Sequence, residues 1–359
     1  MRFRRVLALF AVLCAWSPAR AELPETPPSN LPDYRVLLQT IARDFVIPRY
    51  VALADATRAQ SEAWQEFCIS DRKGETFAAL KDAYQGAADA WSGVELVRYG
   101  PISENFRNER MAHWPERNNA VARGLGPLLA RTGSDDLSPD RIAQMSVAVQ
   151  GLTALERLLY EKDSQSLMLA SGQAAVRRCA VGQGIAANLA RIAAEVLAGW
   201  RGDRGVPVQF DGMDAAALRA AVTRFSTDLL TMLQVMRDQK VEAVLGKSIE
   251  TPRPLLAEGW RSGRSVRAIL INLDAVQALT GLMVGPDVDG HDSMFAAIDA
   301  TRDIANGLPP DFGRLAGDAK ERFRVVLLRD SLRGLHELGS VVVPVSLGIT
   351  VGFNSLDGD

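Results

Sequence analysis

The chain has 359 residues, 47% of them apolar and 23% charged, and its formal net charge is −2. That balance is ordinary for a globular protein. It gives no electrostatic footing for a nucleic-acid partner. Aromatic residues make up only 6%, and the abundance of Ala, Leu, Arg and Glu favours helix.

The start reads as an export signal. Arg2, Arg4 and Arg5 precede an apolar run from Val6 to Ala15, and Ala19-Arg20-Ala21 supplies an A-x-A cleavage site. Residues 1–21 are therefore expected to be a signal peptide, removed from a periplasmic protein. Its four arginines and lack of acids leave the mature chain four charges more negative. Cys14 follows Leu13, where a lipid-attachment box wants Gly or Ala, so it reads as part of the apolar run. Outer-membrane association stays open. No later apolar run reads as long enough to span a bilayer. Cys68 and Cys179 remain. In an oxidising compartment they either pair or stay as two buried thiols, and pairing is the simpler reading.

Residues 22–32 form a Pro-rich lead-in. An N-terminal helical bundle is expected over 33–202, opening at Asp33 as a helix cap, with a kink or short break before Pro48. A second helix runs from about Glu75 to Leu96 and stops at Tyr99-Gly100-Pro101. A mixed-charge segment with Arg107 follows, then the stop Trp114-Pro115 and a short helix from Glu116 to Arg131. Ser138-Pro139-Asp140 opens one long helix to about Lys162. On it Met145, Val149, Leu152, Leu155 and Leu159 make an apolar stripe, and Thr153, Glu156 and Tyr160 follow one another beside it. Glu156 among leucines needs a partner. Another long helix, Leu167 to Trp200, carries Cys179.

Residues 203–214 read as a linker. A C-terminal bundle over 215–345 is expected from helical patterns at Ala215 to Lys240, Leu255 to Val284, Ser293 to Leu308 and Phe312 to Val342. Arg261 and Arg264 share the second of these and could reach an anion or Glu156. Leu270 to Leu282 weakly parallels Gly151 to Tyr160, with Asp274 in an inward position. The tail, 346–359, ends GFNSLDGD and brings Asp357 and Asp359.

Cys68, Gly100-Pro101, Trp114-Pro115, Gly151 to Tyr160, Arg178-Cys179 and the GFNSLDGD tail resemble the imelysin-like family of bacterial envelope proteins, in its predicted-lipoprotein branch. The resemblance covers almost the whole mature chain. It implies an all-α fold of two helical bundles related by an internal pseudo-duplication. It also implies a link to iron or haem acquisition, and a family named for metallopeptidases.

Its site motif is Gly-x-His-x-x-Glu. Gly151 and Glu156 match, while Thr153 stands in place of the His. Threonine is a poor ligand for zinc or iron(II). His113, His291 and His336 are scattered, and the H-E-x-x-H spacing is absent.

The expectation is thus a periplasmic binding protein with a degenerate site, leaning away from catalysis. The ligand-site residues are Gly151, Thr153, Glu156, Arg107, Trp114, Asp357 and Asp359, with Glu156 the one metal ligand. The ligand is a small molecule or metal ion, with iron as the possible cofactor, and a cell-envelope partner is allowed. Haem would need an axial residue such as Met145 or Tyr160. The alternatives are a metallopeptidase, or a structural or partner-binding protein whose site has decayed.

Overall fold

A computed structural model describes residues 31–71, 73–132 and 136–350. The expected signal peptide, Cys14, most of the Pro-rich lead-in, and the end of the tail with Asp357 and Asp359 lie outside the described residues. Among the described residues the chain is all helix, with no strand.

The first helix, α1 (Tyr34–Thr40), is capped by the Asp33 carboxylate, which accepts from the Arg35 and Val36 N–H groups. It runs through a π-helical stretch, Ile41–Val46, into α2 (Ile47–Ile69). The expected break before Pro48 is this stretch. Proline has no N–H to donate and crowds the carbonyl four residues back, and wider i→i+5 winding relieves both. The chain therefore bends its ladder without interrupting the helix.

Next come α3 (Gly74–Ser92), α4 (Arg107–Met111), α5 (Ala120–Ala130), α6 (Pro139–Ala143), α7 (Leu152–Tyr160), α8 (Ser164–Leu169) and α9 (Gln173–Trp200). The long helix expected from Ser138 to Lys162 is broken. The Ser146 hydroxyl caps a 3-10 turn over Val147–Val149, and Gly151 is extended. The buried Gln150 amide donates to the Met145 carbonyl at 2.5 Å, satisfying an acceptor the break exposes. Met145 and Val149 therefore do not share the stripe of α7. The helix expected from Leu167 is likewise split, at Gly172, whose φ is +108°.

Helices α2, α3 and α9 form the first bundle, tied by a Cys68–Cys179 disulfide that spans 111 residues. Close approach of α2 and α9 depends on Gly182, where a Cβ would run into the Trp64 ring.

After α10 (Val206–Asp211), α11 (Ala215–Val235) passes through a second π stretch, Met236–Glu242, into α12 (Ala243–Leu245). Helices α13 (Ser265–Met283), α14 (His291–Asn306) and α15 (Arg322–Leu347) complete the second bundle. The valine-rich stretch Val341 to Val345 lies in the last turns of α15.

The helix expected from Leu255 starts only at Ser265. Arg261 and Arg264 therefore sit in the loop before α13 and at its cap, not on one helix face. By length and composition α13 could cross a membrane, contrary to the sequence expectation. It packs against α3, α11, α14 and α15, and that core position accounts for its apolar content.

The two bundles pack on each other through α13 on α3 and α1 on α11. The expected duplication finds no support at its one local parallel. Asp274 on α13 is exposed and pairs with Arg302 at 3.0 Å rather than facing inward.

Candidate functional site

Helix α7 starts hard against α4: a Cβ on Gly151 would lie 2.8 Å from the Met111 carbonyl oxygen. Glycine here is a matter of close approach, since its φ of −102° is open to any residue. That docking sets Thr153 and Glu156 one turn apart on the wall of a cleft of about 170 Å³. Trp114, Pro115, Glu116 and Asn119 line the same cleft from the segment between α4 and α5. The opposite wall comes from the second bundle: Leu255, Gly259, Trp260 and Arg261.

Glu156 is only 4% exposed, and its Oε1 accepts twice from Ser262, from the N–H at 3.0 Å and the hydroxyl at 2.7 Å. Burial pushes its carboxyl above the ordinary range, opposed by those two bonds and by the charges of Arg261 and Arg264. The 257–264 loop is further pinned across the bundles. Arg261 donates to Glu161 at 3.2 Å and lies over the Trp260 ring, 4.3 Å from its centroid. Arg264, almost buried, donates to Asp89 at 2.6 Å, and Arg267 binds the same carboxylate. The Asp89 carboxyl is held low although burial works against this, because both guanidinium groups bond it.

The Tyr160 hydroxyl turns away from Glu156. It donates to the Lys81 carbonyl and accepts from Gln85, both at 3.1 Å. Arg107 is not among the cleft-lining residues. Its guanidinium binds Glu104, Glu195 and the Pro101 carbonyl, joining the α4 region to α9. Of the residues expected to meet at one site, Thr153, Glu156 and Trp114 do so, and Gly151 sets their position.

The donor set does not fit a resident transition metal. Glu156 spends one oxygen on Ser262, Thr153 offers a hydroxyl, and no three His, Cys, Asp or Glu side chains converge as ligands among the described residues.

The imelysin (peptidase M75) family model matches residues 46–338. The chain belongs to the imelysin family. The fold agrees with two crystal structures. One is an imelysin-like protein from Psychrobacter arcticum, with 21% identity, 91% of this chain and 99% of that chain covered, and a TM-score of 0.76. The other, from Parabacteroides distasonis, is described as an iron-regulated protein A precursor, with 15% identity, 90% and 98% coverage, and a TM-score of 0.70. No curated protein matches the chain.

In this imelysin the sequence reading missed the far wall. Trp260 and Ser262 were hidden because a helix was read straight through them. The signal was present as Gly259-Trp260-Arg261-Ser262-Gly263, a polar tripeptide between two glycines, both of positive φ at +61° and +67°. Also missed was a buried charge cluster behind Trp114, where Lys240 meets Glu95 and Glu258, each at 2.6 Å.

Proposed function

We infer that this imelysin is an exported binding protein of the cell envelope that serves iron acquisition, taking a small ligand between Trp114, Trp260 and Glu156. The observation that carries this is the state of Glu156. One oxygen of its carboxylate is spent on seating the 257–264 loop through Ser262, so its first task is to build the cleft. Thr153 beside it is no imidazole, so hydrolytic zinc lacks its ligands, and the site is a degenerate form of the Gly-x-His-x-x-Glu motif.

Two indoles and a stacked guanidinium suit a flat or delocalised ligand. The Cys68–Cys179 bond supports an oxidising compartment, in keeping with the signal-peptide reading of residues 1–21. The iron link is supported by the family resemblance and by the name of the Parabacteroides relative.

The test is a titration of the mature chain with ferric citrate and, separately, with zinc, followed by tryptophan fluorescence and calorimetry. The ferric chelate should bind and Trp260→Ala should abolish the signal, with zinc giving no stoichiometric binding. Stoichiometric zinc accompanied by peptide cleavage would overturn the reading.

A further inference from the structure

Behind the outer cleft lie two smaller chambers in series. The first, about 30 Å³, shares Trp114, Thr153, Glu156 and Gly259 with the cleft. The second, about 50 Å³, shares Trp91, Ala112, Trp114 and Glu258 with the first. Trp114 borders all three, so they form one elongated site with an indole partition.

The inner end is chemically unbalanced. Lys240, 1% exposed, gives its ammonium to Glu95 at 2.6 Å, Glu258 at 2.6 Å and Asn272 at 2.7 Å. The ammonium hydrogen-bonds Glu95 and Asn272 and ion-pairs with Glu258, whose Oε2 makes no hydrogen bond of good geometry. Two carboxylates face that single cation, leaving one negative charge unmatched within the cluster. Burial opposes the Lys240 charge, but Glu258 and Glu95 together outweigh it and hold the ammonium above its ordinary range. Burial raises Glu95. Lys240 lies buried on the second π stretch, and such stretches are frequent at functional sites.

Two further groups lack partners. Trp91 is 4% exposed, lines both inner chambers, and its Nε1 makes no hydrogen bond among the described residues. The buried Asn108 Oδ1, on a residue lining the innermost chamber, makes none either. A buried indole N–H is seldom left unsatisfied. The Arg98 side chain also lines that chamber, its charge near Asp228. The innermost chamber therefore brings together unpartnered acceptors, Glu258 Oε2 and Asn108 Oδ1, an unpartnered donor, the Trp91 N–H, and the cation of Arg98, which it shares with Asp228. It has room for a few heavy atoms only.

We propose that the inner chambers bind the head group of an α-amino carboxylate, whose remainder passes Trp114 into the outer cleft. The ammonium goes to the Glu258 and Asn108 oxygens and the carboxylate to the Trp91 N–H and Arg98. This rests on the cleft being a ligand site, and it names the class of ligand. A free amino acid and an amino acid carried as a pendant group on a chelate, away from the iron, present the same head group.

The test titrates the full mature chain with each of the twenty L-amino acids, following tryptophan fluorescence and calorimetry. The tightest is then compared with its decarboxylated amine and its deaminated acid. Each analogue lacks one charge-assisted hydrogen-bonding end and should bind at least about tenfold more weakly. Trp91→Phe keeps the ring and removes the N–H. It should weaken the amino acid while leaving the amine unchanged. Asn108→Ala should do the converse with the deaminated acid. Circular dichroism confirms that both variants fold.

The proposal is overturned if no amino acid binds by about 10 mM, if the one-charge analogues bind as well as the parent, or if Trp91→Phe binds like the wild type. Ferric citrate in the same titration separates the two readings. Binding of the chelate without any amino acid sinks this proposal alone, and silence from every probe sinks both. Citrate carries no amino group, so displacement of the amino acid by ferric citrate would show the two sharing one elongated site, as proposed.

Discussion

At the residue scale the Glu156–Ser262 contact decides how the motif position behaves. Removing the carboxylate in Glu156→Ala leaves the half-buried Ser262 N–H without its acceptor, while the hydroxyl keeps only the Gly259 carbonyl at 3.2 Å. That should lower unfolding stability by about 1–3 kcal/mol, read by urea denaturation. Glu156→Gln keeps an acceptor of the same shape and should lose less. The same contact makes a sharper forecast about metals. Thr153→His alone restores the family spacing, yet should bind zinc poorly because Glu156 stays engaged. Thr153→His combined with Ser262→Ala removes the shorter, hydroxyl bond and leaves only the backbone N–H on Glu156, and should bind zinc more tightly than either single variant, as calorimetry would show. Equal affinity of the single and double variants would contradict the role given to Ser262.

At the scale of elements, the loop before α13 and the disulfide carry the predictions. Gly263 sits at φ +67° with open space around it, so Gly263→Ala tests backbone conformation without a clash. It should cost about 1–2 kcal/mol and weaken ligand binding, since the loop forms one wall of the cleft. Replacing both Cys68 and Cys179 by Ser releases a long loop into the unfolded chain. It should lower stability by about 2–4 kcal/mol, measured against the oxidised wild type.

Elements are also where the sequence was most and least legible. Helix class, the Asp33 cap and the cysteine pairing all follow from local chemistry, which acts over a few residues or through compartment; the stop read at Tyr99-Gly100-Pro101 does not hold, since α3 already ends at Ser92 and Gly100-Pro101 opens a 3-10 helix. Helix continuity was not legible either. Ser146 and Gln150 hydrogen-bond to nearby backbone and terminate helices that the apolar period alone would carry on. Gly259 and Gly263 do the same to the start of α13. The site was legible where it lay on one helix, at Thr153 and Glu156. It was hidden where a residue from the second bundle, Ser262 or Lys240, arrives more than 80 positions along the chain.

For the whole molecule the bundles are joined by buried polar contacts as well as by apolar packing. Asp228 on α11 accepts the Arg98 N–H from the first bundle at 2.7 Å and the Arg224 guanidinium at 2.9 Å. Burial nevertheless pushes its carboxyl from 3.8 to about 6. A raised folded-state value means the fold prefers the protonated acid. Its contribution is therefore complete below about pH 4 and is lost as the pH climbs through about 6. The loss is on the order of 3 kcal/mol. Asp228→Asn removes that titration. The stability difference between wild type and Asp228→Asn should shift in favour of the variant between pH 4 and pH 7.5, then stay flat. Parallel pH profiles for the two proteins would refute this account of the interface.

Because Glu156 belongs to one bundle and Ser262 to the other, the pocket exists only while both are docked. Recognition is in effect a two-key lock, with each half holding one key. A chain severed near residue 203 would regain its guest only when the fragments reunite. A bound guest would in turn act as a rivet, making the halves melt together instead of one after the other.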